Sequence, residues 1–230
     1  MAMTDQGNLA AGRTMTNGFL IALEGIDGAG KSTIAARVGE ALRSQGWLVT
    51  LTREPGGTSF GTSLRQILKG AEVPIDPWAE AFLFEADRAQ TYAEVLAPAL
   101  QAGGIVISDR GPFGTIAYQG HGRGLDLGLI DQMNAVAWRR PADLVIVVDV
   151  SPELGLKRKG SGAAPDRFEG AGIVFLERVR NGYLTAARLR GPDAVVVDGR
   201  RSADEVLGDV IHCVEERLGT AAAQLRGDPR

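Results

Sequence analysis

The sequence predicts one doubly wound α/β domain, a five-stranded parallel sheet flanked by helices on both faces and carrying a short lid. Three observations lead there. Five short apolar runs, rich in β-branched residues, recur along the chain. Longer segments with helical spacing separate them, the alternation that builds βαβ units. A glycine-rich loop joins the first run to the first helical segment.

The runs cover 19–23, 47–51, 104–107, 144–148 and 194–197. Parallel strands are buried on both faces, so they read as unbroken apolar stretches rather than as alternating ones. Helical patterns fill 32–45, 64–69, 79–101, 126–138, 152–159, 174–189 and 203–218. No repeat or interdomain linker interrupts them. Residues 1–17 read as a disordered leader, 18–218 as the folded domain with its lid at about 157–168, and 219–230 as a flexible tail.

Composition narrows the function. Hydrophobic residues make up 44% and charged residues 23% of the 230, ordinary for a globular protein. The formal net charge of −3 offers no general positive field for a nucleic-acid polymer. No apolar run approaches the ~20 residues that span a bilayer, and the leader lacks the basic and apolar regions of a signal peptide. The single Cys213 rules out an internal disulfide and fits a reducing cytoplasm. Two histidines do not make a histidine metal cluster.

The glycine-rich stretch is "EGIDGAGKST", residues 24–33. Gly25, Gly30, Lys31 and Ser32 satisfy G-x-x-x-x-G-K-[ST] with a strand before and a helix after. This is the context of a P-loop NTPase. Backbone N–H groups of Gly25, Ile26, Asp27, Gly28, Ala29, Gly30, Lys31, Ser32 and Thr33 are the candidate ATP cradle. Lys31 supplies a cation for the β- and γ-phosphates and Ser32 a hydroxyl for Mg²⁺, with Asp109 as a second candidate ligand. Asp27 is unusual there, because a carboxylate repels phosphate unless a metal or a sugar hydroxyl answers it. A loop-capping role fits it equally. No Asn-Lys-x-Asp base reader of a GTPase occurs.

Further polar residues follow the next strands, where ligands collect in such sheets. "TREPGGT" brings Glu54 and Pro55, and Arg65 follows on the next helix. "SDRGPFGTIAYQGHGRGLD" puts Asp109 and Arg110 at a strand end, where a guanidinium can grip phosphate in bidentate fashion. Thr115, Tyr118 and Gln119 share one helix face by spacing. Phe84 and Arg88, four apart, suit a planar base bearing a carbonyl, or equally a core aromatic beside a surface charge. Lys157, Arg158 and Lys159 precede a Gly/Ala run and Asp166-Arg167, a composition that suits a mobile cationic lid or a solvated basic loop.

Together "EGIDGAGKST", "TREPGGT", "FEADRAQ", "SDR", "AYQGHGRGLD" and "DRFE", followed by "FLERVRNGYL", make the chain from about 19 to 218 resemble the bacterial thymidylate kinases. The resemblance implies γ-phosphoryl transfer from ATP to thymidine monophosphate (dTMP), with Mg²⁺, in a cytoplasmic homodimer. It implies a dTMP site of Glu54, Pro55, Arg65, Phe84, Arg88, Arg110, Thr115, Tyr118 and Gln119. Phe84 would stack on thymine, Arg88 bond its carbonyl, Tyr118 face the 2′ carbon and Asp27 the 3′-hydroxyl. Lys31, Asp27, Arg110, Arg158 and Lys159 are the catalytic candidates, Arg158 first among the lid cations and Arg167 a further one. The chain departs from its relatives at Gly111 and Gly114, which imply a looser helix start, and at Gly160 and Gly162, which leave the lid short of arginine. A kinase of another deoxynucleotide or nucleoside, and a non-catalytic ATP-binding module, are the competing readings.

Overall fold

The structure, a computed structural model, describes residues 12–70, 74–160 and 167–226. The strands are β1 (Phe19–Glu24), β2 (Val49–Arg53), β3 (Ile105–Asp109), β4 (Leu144–Asp149) and β5 (Ala194–Asp198). They form one parallel sheet in the order β2-β3-β1-β4-β5. The central β1, β3 and β4 are buried almost throughout, whereas the edges β2 and β5 are half-exposed. The order reverses at β1, so its loop opens into the crevice where such folds bind ligands.

Helices α1 (Lys31–Ser44) and α2 (Ser59–Gly70) follow β1 and β2. The predicted helix at 79–101 is α3 (Pro77–Thr91), a π-helical turn (Tyr92–Leu96) and α4 (Ala97–Gln101) in succession. Pro98 explains the widened turn, since its ring would clash with the carbonyl four residues back. After β3, the short α5 (Pro112–Thr115) passes into a second π-helical turn (Ile116–Gly122). Thr115, Tyr118 and Gln119 therefore straddle two helix types rather than sharing one α-helical face.

The rest are α6 (Leu127–Trp138), α7 (Pro152–Lys159), α8 (Ile173–Arg190) and α9 (Ala203–Arg226). Asp126 caps α6 by accepting from the N–H of Leu129 at 2.8 Å. None of these helices, over the described residues, is long and apolar enough to cross a membrane.

Both predicted ends need correction. Residues 12–17 are not disordered: Arg13 donates to the Gly46 carbonyl at 2.6 Å, its guanidinium lies 4.2 Å over Trp47, and Met15 enters the core. Helix α9 runs past 218 to Arg226: Gly219 does not end it, since the Ala221–Ala223 stretch that follows favours helix and no proline intervenes. Residues 1–11 of the leader, 227–230 of the tail and 161–166 of the lid, Gly162 and Asp166 included, lie outside the described residues.

The two glycines at the start of α5 differ. Gly111 has an extended φ of −172° that any residue adopts, so packing alone explains it. A Cβ there would lie 2.0 Å from the buried ring of Trp138. That start is crowded, not loose. A Cβ on Gly114 would approach only Tyr183 Oη at 3.7 Å and Glu24 Oε2 at 3.9 Å. Glu24, the last residue of β1, is fully buried, neither carboxyl oxygen has a hydrogen-bond partner, and burial pushes its carboxyl up to about 8 against Arg110 and Arg88.

Gly111→Ala is expected to lower unfolding free energy by about 1–3 kcal/mol. Gly114→Ala leaves it unchanged or raises it by up to about 1 kcal/mol. Urea denaturation of both variants checks the order, and the reverse order would refute the assigned crowding. Glu24 binds its proton more tightly folded than unfolded, so stability is lost as pH rises from about 4.5 toward 8. In Glu24→Gln that loss, roughly 1.4 kcal/mol per pH unit in the window, should vanish. Parallel stability–pH profiles for the two proteins would contradict it.

Candidate active site

Three adjoining clefts line the carboxyl ends of the strands. One, of about 590 Å³, is walled by Phe84, Tyr118 and Phe168 and edged by Glu54, Pro55, Arg65, Arg88, Arg110, Thr115 and Gln119. A second, of about 890 Å³, lies between the glycine-rich loop and α9, beside Arg37, Arg158, Arg201 and Leu207. Between them is a polar waist lined by Asp27, Lys31, Ser32, Arg53, Arg65, Asp109 and Arg110. The waist shares Asp27, Glu54, Arg65 and Arg110 with the first cleft and Gly28, Gly30 and Thr33 with the second.

The loop is shaped by its glycines. Gly28 has φ +78°, and a Cβ there would lie 2.0 Å from the carbonyl of Gly155 in α7. Gly30, at φ +95°, turns the chain into α1, whose first N–H groups face the waist. Lys31 is buried and donates to the Ile26 carbonyl at 2.9 Å. Burial, reinforced by Arg110, lowers its ammonium to about 8. Ser32 Oγ donates to the Asp109 carboxylate, so these two sequence-predicted residues meet at the waist.

Arg110 adopts φ +81°, a left-handed conformation that costs a non-glycine residue about 1–3 kcal/mol. Its N–H bonds the Leu23 carbonyl at 2.9 Å and its carbonyl accepts from Ser108 Oγ at 2.7 Å, which pins that geometry. The guanidinium then reaches Tyr183 Oη at 2.9 Å, pairs with Asp27 and lies 5.3 Å over Tyr118. Burial pushes the Asp27 carboxyl up, but Arg110, Lys31 and Lys159 outweigh it and hold Asp27 well below the usual carboxylate range.

Arg88 is not a surface charge: it is 2% exposed. Its Nε donates to Glu54 at 2.8 Å, Nη1 to Glu85, Thr115 Oγ1 (2.7 Å) and Asn134 Oδ1 (2.7 Å), and Nη2 to the Gly111 carbonyl at 2.9 Å. Of its five N–H groups, one on Nη2 is left over. Burial, opposed by Arg88, raises Glu54 to about 7. Phe84 faces Phe168 with ring centroids 6.0 Å apart.

The lid cations separate. Arg158, ranked first from the sequence, donates to the Gly199 carbonyl at 2.7 Å beside the second cleft. Lys159 Nζ stands 3.8 Å from Asp27 Oδ2. Arg167 pairs with Glu80 at 2.7 Å on the far side of the aromatic cleft. Sequence reasoning missed Phe168, Tyr183, Asn134 and Arg53. Phe168, Arg53 and Tyr183 had a local signal, their places in "DRFE", "TREPGGT" and "FLERVRNGYL"; Asn134 had none. Among the described residues no cluster of three or more His, Cys, Asp or Glu is placed to hold a metal.

Comparison with known proteins agrees with this geometry. The sequence pattern of the family described as "Thymidylate kinase" matches residues 23–210. A thymidylate kinase of Deinococcus radiodurans is 43% identical over 88% of this chain and 99% of its own length. One of Nitratidesulfovibrio vulgaris is 44% identical over 89% and 96%. The crystal structure of thymidylate kinase from Ehrlichia chaffeensis superposes with a TM-score of 0.72 at 31% identity, covering 86% of this chain and 99% of that one. A phosphate loop, a polar waist and an aromatic cleft in this order, with relatives matched nearly end to end, place the chain in the thymidylate kinase family.

Proposed function

We infer that the chain transfers the γ-phosphoryl group of ATP to dTMP, giving ADP and thymidine diphosphate. The observation that carries this reading is the waist, which joins a phosphate loop to a cleft walled by aromatic rings. Phosphoryl transfer asks a protein mainly for alignment and charge stabilisation, and two facing sites joined by cations supply both.

In this reading the first cleft takes dTMP. Phe84 stacks on thymine, the remaining Arg88 donor meets a ring carbonyl, and Thr115 and Gln119 complete the base edge. Tyr118 closes on the 2′ side of the sugar. Arg65 and Arg110 hold the acceptor phosphate, and the low-lying carboxylate of Asp27 accepts from the 3′-hydroxyl. The loop from Gly25 to Thr33 takes the ATP phosphates, with Lys31 against them and Arg158 flanking the nucleoside end of the donor.

Ser32 and Asp109 suit Mg²⁺. A hydroxyl and a carboxylate already in contact are hard oxygen ligands, and this ion keeps its other positions for water and phosphate. Bound there, it would neutralise phosphate charge during transfer. A homodimer is supported by apolar side chains left exposed on three helices packed in sequence, Phe60 and Ile67 on α2, Phe82 on α3, Leu129 and Val136 on α6. The free thiol of Cys213 suits a cytoplasmic setting.

A coupled ADP-release assay with dTMP, dUMP, dCMP, AMP and thymidine should give the highest kcat/KM for dTMP. Best turnover of another acceptor would refute the reading, and ATP binding without diphosphate formation would mark a non-catalytic module. Lys159→Ala should lower kcat on the order of tenfold or more, about 1.4 kcal/mol of transition-state stabilisation, with KM for dTMP nearly unchanged. Arg158→Ala should instead raise KM for ATP. The opposite split would return the transition-state role to Arg158.

A further inference from the structure

Glu80 of α3 is a fully buried carboxylate that does not itself line the aromatic cleft but bonds Gln119, which does. Its Oε1 accepts from Gln119 Nε2 at 2.8 Å and from Arg123 Nε at 3.2 Å. Its Oε2 accepts from Arg123 Nη2 at 3.2 Å and is ion-paired with Arg167 Nη2 at 2.7 Å. An ion-paired carboxylate only accepts hydrogen bonds. Turning the Gln119 amide over would set its oxygen against Glu80, acceptor against acceptor, inside a buried site where an unmade hydrogen bond is expensive. The amide polarity is therefore fixed: N–H toward Glu80, carbonyl Oε1 left for the cleft that Gln119 lines.

That polarity has a chemical consequence. Among the polar groups of the cleft are then an acceptor, Gln119 Oε1, and a donor, the remaining N–H of Arg88. A keto pyrimidine presents the complement, an N3–H beside a C4 carbonyl. An amino pyrimidine presents the reverse, an unprotonated N3 beside an amino group, and leaves both protein groups unpaired. A site built around such pairs rejects the mismatched analogue far more strongly than an apolar pocket does.

We propose that Glu80 is a positioning residue that locks the Gln119 amide and so makes the cleft select keto over amino pyrimidines. This rests on the assignment of the aromatic cleft to the acceptor base. Arg123 and Arg167 hold Glu80 in place and share its charge. Both also lie over Phe168, at 5.8 and 5.5 Å, so the same network backs a wall of the cleft.

The test is the ratio of kcat/KM for dTMP to that for dCMP, measured on the full chain for wild type, Glu80→Gln and Glu80→Asp, with thermal unfolding followed in parallel. Glu80→Gln can donate as well as accept, which frees the Gln119 amide to turn. Glu80→Asp keeps the charge for the two arginines but withdraws it from Gln119. The ratio should fall at least tenfold in each variant, with KM for ATP within about twofold of wild type. Should Glu80→Gln fail to fold, Glu80→Asp decides by the same ratio. An equal loss with both substrates, ratio unchanged, would reduce Glu80 to a structural role and overturn the proposal. A wild type inactive on dTMP would instead overturn the assignment of the cleft.

Discussion

The buried guanidinium of Arg88 is the contact on which the site depends. A cation removed from water costs several kcal/mol unless charge and hydrogen bonds replace its hydration. Here the replacement comes from the loop after β2 (Glu54), from α3 itself (Glu85), from the β3–α5 junction (Gly111 and Thr115) and from α6 (Asn134). None of these segments can shift without stranding the charge. A lysine could not substitute, since a single ammonium lacks the planar fork that reaches acceptors on three sides. Burial raises Glu54 to about 7 even though Arg88 pulls the other way.

What the sequence made legible follows from this arrangement. The phosphate loop was readable because its chemistry is contiguous: strand, glycines, Lys31 and Ser32 within a few residues. Phe84 and Arg88 were readable as a pair because helical spacing is local. Their partners were not, for Glu54 lies 34 residues from Arg88 and Asn134 lies 46 away, and no periodicity spans such gaps. Met15 was misread for a similar reason. One apolar residue in a polar stretch has no pattern; what fixes it is the Gly103 carbonyl that its N–H meets at 2.8 Å, the Gly18 N–H that its carbonyl accepts at 3.2 Å, and the core around its side chain. The π-helical turns at 92–96 and 116–122 escaped too: Pro98 marks only a break in α-helical bonding near the first, and no proline stands within or just after the second.

The lid shows how geometry reorders residues that the sequence ranks. Arg158 led because the family resemblance implies an arginine in the lid. Adjacent residues on an α-helix, however, point about 100° apart, so α7 cannot aim both Arg158 and Lys159 at the waist. Gly155, whose close approach to Asp27 and Gly28 fixes the roll of α7 against the loop, decides between them. That roll sends Arg158 to Gly199 and brings Lys159 to Asp27.

Asp27 resolves in the same terms. A carboxylate in a phosphate loop would oppose binding if it faced the donor. Asp27 lines the aromatic cleft and the waist but not the second cleft, where Gly28, Ala29 and Gly30 present backbone alone. Its charge therefore faces the aromatic cleft and the waist, where Arg110 and Lys159 answer it. The strained backbone of Arg110 is what makes this possible, because a relaxed φ would carry the guanidinium away from the junction. One local strain thus decides where the Arg110 cation sits: against Asp27, at the join of the waist and the aromatic cleft.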